Sequence, residues 1–127
     1  MEFRFLSVED VLDLHELQLE RYGGATGIRD PSLLESAVMM PQASFASAYV
    51  HHDIYVMAAA YAFHIAENQP FIDGNKRTGL AAALVFLDLN DVEINDVDEK
   101  LYDAMIDLSQ KRLDKIGLAN LFKKLSQ

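Results

Sequence analysis

The chain has no cysteine at all, which excludes disulfides and Cys-based metal sites and fits a reducing compartment. Positive charge is scarce: 11 lysines and arginines stand against 20 acidic residues, a net charge of −9. That balance argues against broad binding to nucleic acid or an anionic membrane and leaves room for a basic protein partner. Long apolar runs are missing too. The longest uncharged one, Ile54 to Phe63, is about half of what a membrane span requires. Met1-Glu2-Phe3-Arg4 lacks the basic-then-apolar layout of a signal peptide, so a cytoplasmic location is expected. Repeats, low-complexity tracts and linkers are absent. What remains is a 127-residue chain, half hydrophobic, long enough to bury one sizeable core, so residues 1–127 are expected to form a single globular domain.

Periodicity and capping residues divide the chain into helices. Ser7-x-x-Asp10 is a capping box, followed at helical spacing by Val8, Val11, Leu12, His15 and Leu19. Arg21 to Asp30 (RYGGATGIRD) holds three glycines and must be a loop. Asp30-Pro31 reads as cap plus first helical residue, with Leu33, Leu34, Ala37 and Val38 inward until Pro41 stops the helix. Asp53 caps a long helix to about Asn68, too apolar for a surface position and therefore central. Thr78 to Leu89 is similarly apolar, and Gly79 with Ala81 to Ala83 permits close packing. Asp96-x-x-Glu99 caps a helix to about Gln110, and Asp114 begins a last one ending near Leu125. Strand signals are weak: Phe3 to Leu6 and Val92 to Ile94 form at most one short pair. The expectation is an all-α bundle of about six helices.

Between its two most apolar segments the chain places Gln69-Pro-Phe-Ile-Asp-Gly-Asn-Lys-Arg-Thr78. A helix N-terminus exposes unpaired N–H groups and the positive end of its dipole. Gly74 lets the backbone approach a ligand, and Asn75 tolerates the dihedrals of such a turn. Lys76 and Arg77 add two cationic donors, while Asp73 offers a hard oxygen ligand to Mg²⁺. A carboxylate beside two cations suits a metal-bound polyphosphate better than a bare anion. Ordinary turn and capping chemistry at Asp73-Gly-Asn, with Lys-Arg on a solvated face, is the competing reading.

PFIDGNKRTG resembles the signature of the Fic/Doc superfamily, broadly H-x-F-x-[D/N]-[G/A]-N-x-R. The flanks LLESAV and AALVFLDLN resemble those of death-on-curing (Doc) toxins, and the likeness runs from about Phe5 to Asn95. The resemblance implies the all-α Fic/Doc fold and an ATP- and Mg²⁺-dependent transferase acting on a protein hydroxyl. Asp73 would hold the metal, Gly74, Asn75, Lys76 and Arg77 the phosphates, with Asn75 bridging phosphate and loop, and Phe71 would anchor the loop in the core. Adenylyl-transferring relatives usually carry Gly where Lys76 stands, and a second arginine where Leu80 stands. Both differences resemble Doc, whose relatives phosphorylate a translation factor, elongation factor Tu, and are restrained by a Phd-type antitoxin. The family's self-inhibitory pattern, Ser/Thr-x-x-x-Glu-Gly/Asn, fails here because Phe63 stands at its hydroxyl position, so an inhibitor would come from another chain.

One departure bears on the chemistry. The motif's opening histidine, which takes the proton from the target hydroxyl, is Gln69 here. Glutamine cannot titrate near neutral pH, and losing a general base slows a reaction by about 10²–10⁴. Phosphoryl transfer leans mostly on positioning and charge, so some activity can survive. Three functions stay open: an impaired Doc-like phosphotransferase, an adenylyltransferase, or a catalytically silent module binding nucleotide or antitoxin. No other histidine supplies the base. His64 lies five residues before Gln69, about 140° round the helix; His15 reads as packing, and His51 and His52 as solvated loop. The Arg21 to Arg29 segment is either a target-docking flap with an edge for strand addition or a plain connection.

Overall fold

Two apolar helices form the centre of the molecule, a consequence of segments that have no polar face to turn to water. The computed structural model describes residues 2–45, 48–51 and 53–127. Its elements are α1 (Val8–Tyr22), α2 (Pro31–Met39), a 3₁₀ turn (Met40–Gln42), β1 (Ser44–Phe45), β2 (Ala48–Tyr49), α3 (Ile54–Asn68), α4 (Asn75–Leu89), α5 (Lys100–Ser109) and α6 (Lys115–Leu125). α3 buries Met57 through Ala62 without a break, so it is enclosed on all sides. α4, α2 and α6 pack around it, with α1 on α4. The all-α bundle of six helices is as expected.

One contact explains how closely α3 and α4 approach. A Cβ added at Gly79 would lie 2.8 Å from the carbonyl oxygen of Ala62, so only a hydrogen fits there. Tyr61, Phe86 and Phe122 fill the surrounding core with no exposure, each stabilising the fold by about 1.5–3 kcal/mol. Tyr61 keeps its polar end satisfied: its hydroxyl accepts a 2.8 Å bond from the Leu6 N–H. Burial pushes its pKa up to about 12.

The capping residues work largely as read. Ser7 and Asp10 form the reciprocal box, Asp30 accepts from Ser32 and Leu33, Asp53 from Val56 and Asp114 from Gly117. Three expectations need correction. α4 starts at Asn75 rather than Thr78. α5 starts at Lys100, because the Asp96 carboxylate reaches forward to the N–H groups of Lys100 and Leu101 and Glu99 turns left-handed between them. The strand pair joins Ser44–Phe45 to Ala48–Tyr49, antiparallel. Phe3 to Leu6 and Val92 to Ile94 are not strands. The Asn90 side chain takes the place of a partner strand for Arg4, accepting from its N–H and donating to its carbonyl.

Candidate functional site

Five of the six helices have a side-chain oxygen on a first-turn N–H, and α4 is the exception. Its N-cap is Gly74, at φ +77°, with no side chain to offer. The Asp73 carboxylate lies one residue too early to cap the turn. Its Oδ1 accepts from the Gly74 N–H at 2.9 Å and its Oδ2 from the Ala25 N–H at 3.1 Å. The capping reading of Asp73 therefore fails, and the first-turn amides of α4 keep their donors for an anion.

The loop that presents this turn is braced from below. Phe71 is fully buried, as expected, and Asn75 grips it at both ends: its Oδ1 accepts from the Phe71 N–H and its Nδ2 donates to the Phe71 carbonyl, each at 3.0 Å. Of the two partners expected for Asn75, the loop takes these contacts. His15, read as packing alone, does more. Its ring stacks on Phe71 with centroids 3.7 Å apart, and its Nε2 donates to the Asp73 carbonyl at 2.8 Å. Nothing local in the sequence signals that bond, since the partners lie 58 positions apart.

Gln69 ends α3 in the left-handed region, φ +47° and ψ +56°. Such a conformation is uncommon away from glycine and asparagine and clusters at functional turns. Arg29 holds it there: Nε donates to the Gln69 carbonyl and a terminal nitrogen to the Asn68 carbonyl, both at 2.7 Å. A cation on the last carbonyls of a helix also offsets the negative end of its dipole.

Arg77 lies over two aromatic rings. Its Cζ lies 3.8 Å from the centroid of Tyr22, on α1, and 4.2 Å from that of Tyr102, on α5. Neither tyrosine was singled out from the sequence. Among the described residues neither Arg77 nor Lys76 makes an ion pair.

These groups surround an open cavity of about 430 Å³, whose lining includes Gln69, Asp73, Gly74, Asn75, Lys76 and Arg77. Every residue expected at the site is thus brought to one place. No histidine side chain lines this cavity among the described residues. The glycine-rich segment is more than a connection. Gly27 accepts from the Ile72 N–H, the N–H groups of Arg29 and Asp30 donate to the Pro70 carbonyl, and Ile28 bridges Phe71 in antiparallel fashion. A Cβ at Gly24 would meet the Asp73 carboxylate at 2.8 Å, so glycine is what lets the segment lie against it. Ile28 and Ile72 remain exposed beside this seam.

A second open cavity, about 860 Å³, adjoins the first along α1, α4 and α5. Leu14, Leu17, Leu80, Leu84 and Val85 give it apolar walls, and Asp96, Asp98, Glu99 and Asp103 line it with acid. Tyr22, Arg77 and Tyr102 border both cavities.

The remaining histidines lie away from the site. His51 is buried, contrary to the expected solvated loop, because Lys115 reaches it: the Lys115 Nζ lies 3.2 Å from Nε2 of His51 and 3.2 Å from Nε2 of His64. His52 lies outside the described residues. No helix is long and apolar enough to cross a membrane among the described residues.

A family model described as "Fic/DOC family" matches residues 5–87. The chain is 32% identical over 122 residues to a protein named "Protein kinase doc" from Escherichia phage P1, covering 96% of this chain and 95% of that one. It is 35% identical over 118 residues to a protein named "Toxin Doc" from Mycolicibacterium smegmatis, covering 91% and 88%. With the motif loop, the six-helix bundle and full-length likeness to two Doc proteins in agreement, the chain belongs to the Fic/DOC family.

Proposed function

We propose that this protein is a Doc-like toxin of a toxin–antitoxin pair that transfers a phosphoryl group from ATP to a hydroxyl of a target protein, a translation factor. The observation that carries the reading is the uncapped first turn of α4, open to the same cavity as Lys76, Arg77, Asp73 and Gln69. Bare amides and two cations that make no ion pair among the described residues fit a polyphosphate. The residues fit Mg²⁺ as well, on modest terms. Asp73 is an exposed carboxylate, and no cluster of three His, Cys, Asp or Glu exists among the described residues. Mg²⁺ is commonly held in this way, by one or two carboxylates, waters and the phosphates themselves. When bound, it would neutralise charge on the phosphate oxygens.

The residues then divide the work. The α4 amides and Arg77 hold the phosphates at the positive end of the helix, where charge developing in a loose transition state is stabilised. Lys76 adds a point charge. Gln69 orients the incoming hydroxyl by hydrogen bonding but cannot accept its proton for good, so the step is slow. The flap beside Phe71 carries the target past Gln69, with Ile28 and Ile72 as apolar contacts. The larger groove suits the antitoxin: apolar walls and an acidic lining match an amphipathic helix with a basic flank.

Radiolabelled ATP, purified protein and cell lysate test this. The native chain should transfer label weakly from the γ position, and Gln69→His should raise the rate by about 10²–10⁴. Label from the α position alone would instead make the protein an adenylyltransferase. Gln69 in a cavity that no histidine among the described residues lines also supports a silent module; nucleotide binding with no transfer by either form would establish that. No binding of Mg·ATP, measured calorimetrically, refutes all of these readings.

A further inference from the structure

We infer that Tyr22 and Tyr102 are positioning residues for Arg77: their ring faces hold its guanidinium by charge–π attraction so that its N–H donors stay available to phosphate. The inference rests on the proposed phosphate-binding role of the α4 loop.

An arginine in a protein of net charge −9 would ordinarily settle on a carboxylate. Asp96, Asp98, Glu99 and Asp103 line the groove that Arg77 borders, yet no carboxylate lies within 4 Å of it among the described residues. What it has instead is two rings, with centroids 3.8 and 4.2 Å from its Cζ. The two kinds of partner differ in what they consume. A carboxylate takes the N–H fork, the part of the side chain that reads phosphate. A π face attracts the charge without using a hydrogen-bond donor. Two rings therefore anchor the cation, restrict its rotamers and leave the N–H fork open. The anchoring is also rigid in origin, since Tyr22 closes α1 and Tyr102 lies in α5, and both helices flank α4. Because Tyr22 is 56% exposed, its ring contributes little to the core, and the contact with Arg77 is what gives it a place.

The test measures Mg·ATP affinity by calorimetry for the native chain and for Tyr22→Phe, Tyr22→Leu, Tyr102→Phe, Tyr102→Leu and Arg77→Ala. In parallel, NMR follows the Arg77 Nε–H resonance without nucleotide, where the two rings shift it upfield. Each Leu variant should weaken binding roughly three-fold, as expected for partly exposed cation–π contacts. Each Phe variant should keep native affinity and the upfield shift, since the ring and not the hydroxyl is at work. Arg77→Ala should lose about thirty-fold, as a charged hydrogen-bonding group does. Leu variants that bind like the native chain while Arg77→Ala does not would overturn the inference and leave the site intact. Leu variants that bind more tightly would show that the rings withhold the arginine, overturning it in the other direction. A native chain that binds no Mg·ATP, or an unaffected Arg77→Ala, would defeat the site reading and the inference together.

Discussion

Asn75 shows how a single side chain can make a loop. Its amide has one donor and one acceptor turned toward Phe71, whose N–H and carbonyl have those two partners. Alanine there would strip both, and a buried peptide group left unpaired costs about 1–3 kcal/mol. Asn75→Ala should therefore lower the free energy of unfolding by about 1–3 kcal/mol in urea titration and weaken Mg·ATP binding in the same preparation; undiminished stability would mean the loop holds without it. How far residues could be read in advance follows from the range of their contacts. The run from Gln69 to Thr78 was legible because its members are neighbours in sequence and their chemistry is local. The supports were not: His15 reaches Asp73 from α1, Arg29 crosses to the end of α3, and Tyr22 and Tyr102 come together at Arg77. An apolar helix face announces that His15 is inside. It does not announce what the ring nitrogen touches.

Elements were more legible, because caps and periods are written within a few residues of where they act. The bounds of α1, α2, α3 and α6 follow from Ser7, Asp30, Asp53 and Asp114. Two of the departures, at α5 and at Arg4, share a cause: a side chain that works over a longer reach than the nearest cap rule assumes. Asp96 caps across four and five residues, delaying α5, and Asn90 replaces a strand partner for Arg4. The small-residue stripe of α4 gives close packing, as its composition implies, and Gly79 makes that testable. Alanine is favoured over glycine inside a helix by about 1 kcal/mol. Here, however, its methyl would press on the Ala62 carbonyl at 2.8 Å, and backbone cannot swing aside as a side chain does. Overpacking of this kind typically costs about 1–3 kcal/mol, enough to outweigh the propensity gain. Gly79→Ala should unfold at lower urea than the native chain, while Ala81→Gly, on a half-buried position of the same helix, should lose only the propensity term. A Gly79→Ala protein more stable than the native one would show that α3 and α4 can part without penalty.

At the scale of the whole molecule, one contact that joins distant segments outside the site is Lys115 with His51 and His64. It ties the first residue of α6 to α3 and to the loop before α3. His64 must present a lone pair to the ammonium, so it is neutral while that contact is made. Burial, then the nearby Lys115 charge, then His51, pull the pKa of His64 down to about 4 from 6.5. Lys115 is also lowered, by burial, while its cation faces the Phe63 ring at 5.4 Å. The sign for His64 follows from proton uptake. Between pH 6.5 and 4 the unfolded chain binds a proton that the folded chain refuses, so stability falls as pH drops through that window and is unaffected by His64 above it. The steepest possible slope is about 1.4 kcal/mol per pH unit. His64 is only partly buried, so solvent screening trims the shift and with it the width of the window over which that slope holds. Carboxylates titrate nearby, and the informative quantity is therefore a difference between proteins. Urea unfolding from pH 5 to 7 should slope more steeply for the native chain than for His64→Gln, which keeps a hydrogen-bond acceptor but cannot take the proton. Lys115→Met should shift the native slope to lower steepness as well, because removing the ammonium lets the His64 pKa rise toward its ordinary value. Identical slopes for native and His64→Gln would mean the imidazole titrates normally and that α6 is held to α3 by packing alone.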